Sequence, residues 1–201
     1  MNPDAAVFTS TYEPPAKLLT DEFLIRPLVV ADNPLDYAAV MDSREHLRLW
    51  EGSTWPEDDF TLEANLADMQ KMQQRHNRGD TYGYTVMNPP QTECLGCLYI
   101  APAVFRWFND LDIRPLGDQQ WTDFDVVIQF WIRTSRLADQ LDRRVVDAVS
   151  NWFTNDWQMP NHLFVTREAF EQQAAMFAAS NLPQKFELAD PESGDRSVAF
   201  G

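Results

Sequence analysis

The spacing of apolar and polar positions changes several times along the chain, and the changes predict ten elements in the order β, α, α, β, β, β, α, β, α, β. Glu22–Val30 (EFLIRPLVV) reads as a first strand. Asp32-Asn33-Pro34 opens a helix that runs to about Ser43, with Asn33 as cap, Pro34 at the first helical position and Asp36 bringing negative charge to the first turn. A second piece covers Arg44–Trp50, and Glu51 through Pro56 reads as a loop. Thr61 caps a helix over Leu62–Asn77, whose apolar side is Leu62, Leu66, Met69 and Met72, and Gly79 stops it. Tyr82–Met87 and Cys94–Ala101 are short strands on either side of a hairpin turn at Asn88–Thr92.

The densest apolar pattern lies in residues 122–153. Asp125–Arg133 carries Val126, Val127, Ile128, Phe130, Trp131 and Ile132, which suits a strand covered on both faces. From near Ser135 the period changes, and Leu137, Leu141, Val145, Val149 and Trp152 mark one face of a helix. His162–Thr166 is a further strand, Glu168–Ala179 a helix ended by Asn181 and Pro183, and Lys185–Leu188 a last strand. Residues 102–121 form a long connection with Phe105, Trp107, Phe108 and Trp121, read as a packed lid or a substrate wall and as a candidate dimer contact. The hairpin implies antiparallel pairs, and the β-α-β passage around residue 135 implies a parallel one. The expected fold is α+β: a mixed, mostly antiparallel sheet of about six to seven strands with helices on both faces. Residues 1–20 are expected to form an arm, 21–189 a single domain, and 190–201 a weakly ordered tail.

Composition narrows the function. With 201 residues the chain can bury one sizeable core. There is no apolar run long enough to span a bilayer and no basic-then-apolar leader, so no membrane association and a cytoplasmic location are expected. The formal charge of −15 would repel phosphate backbones, which argues against nucleic acid as a partner. Cys94 and Cys97 have C-x-x-C spacing, but zinc needs further ligands and His46, His76 and His162 are scattered. Strand alternation also turns residues three apart to opposite faces. The expectation is therefore two small strand residues and no metal site. Arg133 and Arg136, where strand passes to helix, are candidates for an anion contact, because a helix start presents unpaired N–H groups. Arg143 and Arg144 are left to a solvated helix face pairing with Asp139, Asp142 and Asp147.

The element order and four stretches resemble the GNAT acetyltransferase superfamily over about residues 19–188. LLTDEFLIRPLVVAD is similar to its first strand and turn, and LGCLYIAP to its third strand. IQFWIR with the following helix is similar to its fourth strand and cofactor-binding helix, and HLFVTREAFEQQAAMFAASNL to its fifth strand and last helix. The resemblance implies acetyl-CoA at the strand–helix junction. Trp131, Ile132 and Arg133 would flank the pantetheine arm, and Arg136, Leu137, Ala138, Asp139, Gln140 and Leu141 would form the pyrophosphate loop. Asp139 and Leu141 stand where that loop usually carries glycines, and Phe170 and Phe177 where the family usually has Asn and Tyr. The implied activity is N-acetyl transfer to a primary amine of a small molecule or peptide; the alternative is a binding or scaffolding protein of the same fold without transfer. Such a transfer needs a group to take the amine proton, for which Asp125 and Glu51 are the candidates, and a proton donor, for which Tyr99 is one.

Overall fold

A computed structural model describes Phe8 and residues 12–201. Its nine strands form one sheet: β1 (Leu18–Leu19), β2 (Leu24–Pro27), β3 (Tyr82–Met87), β4 (Cys94–Pro102), β5 (Asp112–Pro115), β6 (Val126–Ile132), β7 (His162–Arg167), β8 (Gln184–Ala189) and β9 (Arg196–Phe200). Their spatial order is β1-β2-β3-β4-β6-β7-β9-β8-β5, and among the described residues every pairing is antiparallel except that of β6 with β7. The mixed, mostly antiparallel sheet is as expected, with more strands than the six or seven predicted.

Five α-helices cover it: α1 (Asn33–Asp42), α2 (Arg44–Glu51), α3 (Leu62–Arg78), α4 (Leu141–Asn155) and α5 (Glu171–Ala178). Alternation along the strands sorts them onto two faces. Ile128, Phe130, Ile132 and Phe164 pack with Val145, Val149 and Trp152 of α4 and Phe177 of α5. Cys97 and Trp131 face the other way and pack with Ala39 and Val40 of α1, Leu47 of α2 and Met69 of α3. The caps of α3 form as read: Thr61 Oγ1 accepts from the Ala64 N–H at 3.1 Å, and Gly79 closes the helix in the left-handed conformation. Thr61→Ala is expected to lower stability by about 1 kcal/mol, read as a shifted urea midpoint with an unchanged slope; an unaltered midpoint would show that the cap contributes nothing.

Four segments differ from the sequence reading. The described part of the arm is tied to the body: Phe8 packs on Tyr82 with ring centroids 4.6 Å apart, Tyr84 donates to the Pro15 carbonyl at 2.9 Å, and β1 pairs with β2. The long connection is held by its own packing. Trp121 Nε1 donates to the Ala103 carbonyl at 2.7 Å, Phe108 is buried, and Asp112–Pro115 pairs with β8 as an edge strand. The tail read as weakly ordered supplies β9, hydrogen-bonded to β7 on one side and β8 on the other. Its apolar Val198 and Phe200 enter the core, a two-residue alternation masked by the polar turn before it. The helix predicted from Ser135 begins at Leu141, because a 3-10 turn over Thr134–Arg136 intervenes.

Candidate active site

The parallel pair β6–β7 is joined for only part of its length. Val126, Val127 and Ile128 pair with His162, Leu163 and Phe164. Beyond that point β6 pairs only with β4, and Val165–Arg167 of β7 pairs only with β9, so the two strands splay apart at their C-terminal ends. Both strands lead into helices at this same end, α4 and α5.

A cavity of about 550 Å³ lies over the splay on the α1–α3 face. Its floor is Gln129 and Trp131 of β6, Val165 and Arg167 of β7, and Tyr99 of β4. Trp50, Trp55, Trp107 and Phe108 form aromatic walls, so the 102–121 connection is part of the wall rather than a separate lid. The Tyr99 hydroxyl accepts from Trp131 Nε1 at 3.4 Å, and the Trp50 ring lies 5.8 Å from that of Tyr99. Glu51 stands at the mouth, where it ends α2. Desolvation raises its carboxyl above the ordinary glutamate range and the positive Arg167 opposes this. Arg167 is fixed by paired contacts to Asp195 at 2.6 and 3.1 Å. Its guanidinium lies directly against Gly52, whose φ of +72° turns the chain out of α2; a Cβ there would fall 2.0 Å from Arg167 Cζ.

The other side of the splay is closed by α5. Gln173, buried, donates from Nε2 to the Phe130 carbonyl at 3.0 Å, while its Oε1 and the buried Thr166 Oγ1 have no hydrogen-bond partner among the described residues. Two acceptor atoms without donors at the opening of a splayed pair are costly unless a ligand supplies them.

At the β6–α4 junction the arginines are engaged by carboxylates. Arg133 pairs with Asp42 at 2.7 Å and Glu93 at 3.3 Å, Arg136 with Glu93 at 2.6 Å, and Arg144 with Glu22 at 2.7 Å. Ser43 Oγ accepts from the Thr134 N–H at 3.0 Å. A second cavity, about 320 Å³, lies here, bordered by Glu22, Glu93, Arg136, Asp139, Leu141 and Arg144. The left-handed residue of the loop is Gln140 (φ 56°), not Asp139 or Leu141. Trp131 floors the main cavity, whereas Ile132 faces the α4 side; Leu137 is half-buried, Ala138 and Asp139 are exposed, and Leu141 is the buried first residue of α4.

Of the proton-transfer candidates, Glu51 and Tyr99 meet in the main cavity. Asp125 does not. It lies just before β6 at the joined end of the β6–β7 pair, exposed, its backbone N–H donating to the Asn161 carbonyl at 2.8 Å. Desolvation raises its carboxyl and His162 opposes this. The sequence reading missed Arg167, Gln173 and Asp36 at this centre. Asp36 left a signal: it shares the i, i+3, i+4 face of α1 with buried Ala39 and Val40.

No family model matches the sequence, and no curated protein matches it. Solved structures do match its fold. RimL, a ribosomal-protein α-N-acetyltransferase in complex with coenzyme A, superposes with a TM-score of 0.66 at 13% identity, covering 91% of this chain and 94% of that one. A ribosomal-protein-alanine acetyltransferase from Vibrio fischeri gives 0.63 at 12%, covering 92% and 95%. The microcin self-immunity acetyltransferase MccE, in complex with acetyl-CoA and AMP, gives 0.65 at 9%, covering 90% and 92%. With a sheet that has, among the described residues, nine strands and one parallel pair, which splays between α4 and α5, the chain has the fold of the GNAT acetyltransferases.

Proposed function

We propose that the protein is an acetyl-CoA-dependent N-acetyltransferase acting on a primary amine of a small molecule or peptide, with the cavity above the splay as the acceptor site. The observation that carries this reading is the splay itself, which opens onto an aromatic cavity with Glu51 at its mouth. Structural neighbours that bind coenzyme A or acetyl-CoA support it.

Acetyl-CoA would supply the activated acyl group as a thioester. The partnerless Gln173 Oε1 and Thr166 Oγ1 fit the amide N–H groups of its arm, which would satisfy both. The first N–H groups of α4, at Leu141 and Asp142, suit its phosphates, with Arg136 and Arg144 beside them. In the cavity, the ring faces of Trp50, Trp55 and Tyr99 attract a cationic amine. Glu51 accepts the proton that the ammonium must lose before its nitrogen can attack. The Tyr99 hydroxyl, which accepts from Trp131 Nε1, is the proton donor in this reading.

The test is a thermal-shift titration with acetyl-CoA, followed by thiol-release assays over a panel of primary amines. Acetyl-CoA at a hundred times its Kd is expected to add about 2.7 kcal/mol of stability. No shift at millimolar acetyl-CoA would overturn the reading, and a shift without thiol release on any amine would leave the binding-protein alternative. Glu93→Gln tests the phosphate end separately. Removing the carboxylate that neutralises Arg133 and Arg136 is expected to tighten acetyl-CoA binding by on the order of tenfold, with the gain shrinking at high salt. Unchanged or weaker binding would place the phosphates elsewhere.

A further inference from the structure

Cys94 and Cys97 do not face opposite ways. Between them β4 carries a β-bulge opposite Val86 and Met87, and Gly96 takes a φ of +151°. The extra residue returns both sulfurs to the α1 face, while Leu95 points to the α4 side. The alternation argument against a shared metal site therefore does not hold at this bulge.

The two thiols meet a third group there. Asp36 of α1 is only 5% exposed. Asn65 Nδ2 donates to its Oδ2 at 2.8 Å and to Asn33 Oδ1 at 2.9 Å, which fixes the carboxylate in rotation. The other oxygen, Oδ1, is thereby aimed at the sulfurs, 3.3 Å from Cys97 Sγ and 4.0 Å from Cys94 Sγ. All three candidate ligand atoms lie within 4.8 Å of one another. A tetrahedral zinc-type ion with metal–sulfur bonds of about 2.3 Å and metal–oxygen bonds of about 2.0–2.2 Å needs O···S separations of about 3.5 Å, and the observed pair brackets that value. Among the described residues no Lys, Arg or His pairs with Asp36, so a buried carboxylate in this place has no cation of its own.

We infer that Asp36, Cys94 and Cys97 form a binding site for one thiophilic divalent cation of the zinc type, with Asn65 as its positioning residue. Two thiolates select a soft or borderline ion over magnesium or calcium. Asp36 borders the main cavity, which gives the ion a way in and a water as fourth ligand. Binding releases the two thiol protons to solvent as the metal–sulfur bonds form. Asn65 does for the carboxylate what an outer-shell hydrogen bond does in known metal centres, holding one oxygen so that the other is presented to the ion. The site is independent of the acetyl-transfer reading.

The experiment uses the full chain, reduced, stripped with a chelator and titrated with Co²⁺ alone, then with Zn²⁺ as displacer. One Co²⁺ per chain is expected, with the thiolate-to-cobalt charge-transfer absorption that marks sulfur ligands, lost stoichiometrically on Zn²⁺ addition. Asn65→Ala is expected to weaken Co²⁺ binding by about 10–100-fold while keeping the sulfur band. The Cys94→Ser/Cys97→Ser double variant is expected to lose the band. Reduced wild-type protein that binds no Co²⁺, or binds it without the sulfur band, would overturn the inference, whether or not the variants fold. So would a folded double variant that keeps the band.

Discussion

Gly96→Ala is expected to destabilise the protein by about 3–5 kcal/mol, among the larger single-residue effects available to this chain. Two costs add. A side chain at φ +151° is strained, because only glycine adopts that backbone region readily. The added Cβ would also fall 2.1 Å from the Trp131 carbonyl oxygen and 3.0 Å from Ile132 Cα. Both are backbone atoms of the central strand β6, so relief requires β4 and β6 to separate rather than a side chain to turn. Urea unfolding followed by tryptophan fluorescence measures the loss; a change below about 1 kcal/mol would show that the bulge relaxes easily. The same substitution moves Cys97 relative to Cys94, so any folded fraction is expected to bind Co²⁺ without the full sulfur absorption of the parent.

Glu51→Gln is expected to lower kcat/KM by about 10²–10⁴, the range for loss of a proton-accepting group. The amide keeps the size of the side chain and removes its ability to take a proton. The pH dependence gives a sharper test. As the proposed proton acceptor, Glu51 would have to be ionised to act, and desolvation raises its carboxyl, with Arg167 opposing. The wild-type rate should therefore rise with pH through an inflection above the ordinary glutamate value, and the variant should lose that limb. Removing the opposing charge in Arg167→Met should move the limb further up in pH, since the carboxylate then lacks its positive neighbour. Thiol release measured across pH decides it: a variant that keeps both the limb and a rate within about twofold of wild type would remove Glu51 from proton transfer.

The elements that position the site were readable where local chemistry decides the outcome. Thr61 and Gly79 bound α3, and the β-branched and aromatic run of Val126–Ile132 suits a strand covered on both faces, as found. The reading failed where the deciding contact is distant in sequence. Strand alternation is a sound rule for Cys94 and Cys97 until β4 bulges against β3; an isolated strand glycine such as Gly96 is a sign of a bulge, but which side chains it turns depends on the pairing with β3. The arginines of the β6–α4 junction were visible as a cluster, but their partners Asp42, Glu93 and Glu22 lie 91, 40–43 and 122 residues away. Asp36 was read as a first-turn charge because an acidic residue there suits the helix dipole; its burial follows from what α1 packs against.

The insertion of β9 between β7 and β8 has a consequence for how the sheet is made. During synthesis β7 and β8 emerge before the strand that joins them, so β8 and its neighbour β5 have no place in the sheet until Arg196–Phe200 arrives. Until then the β7 edge offers a row of unpaired backbone groups to any other extended chain. Closure of the sheet is thus a late, long-range event in assembly, and cleavage before Arg196 would leave a chain open to strand exchange with its own copies.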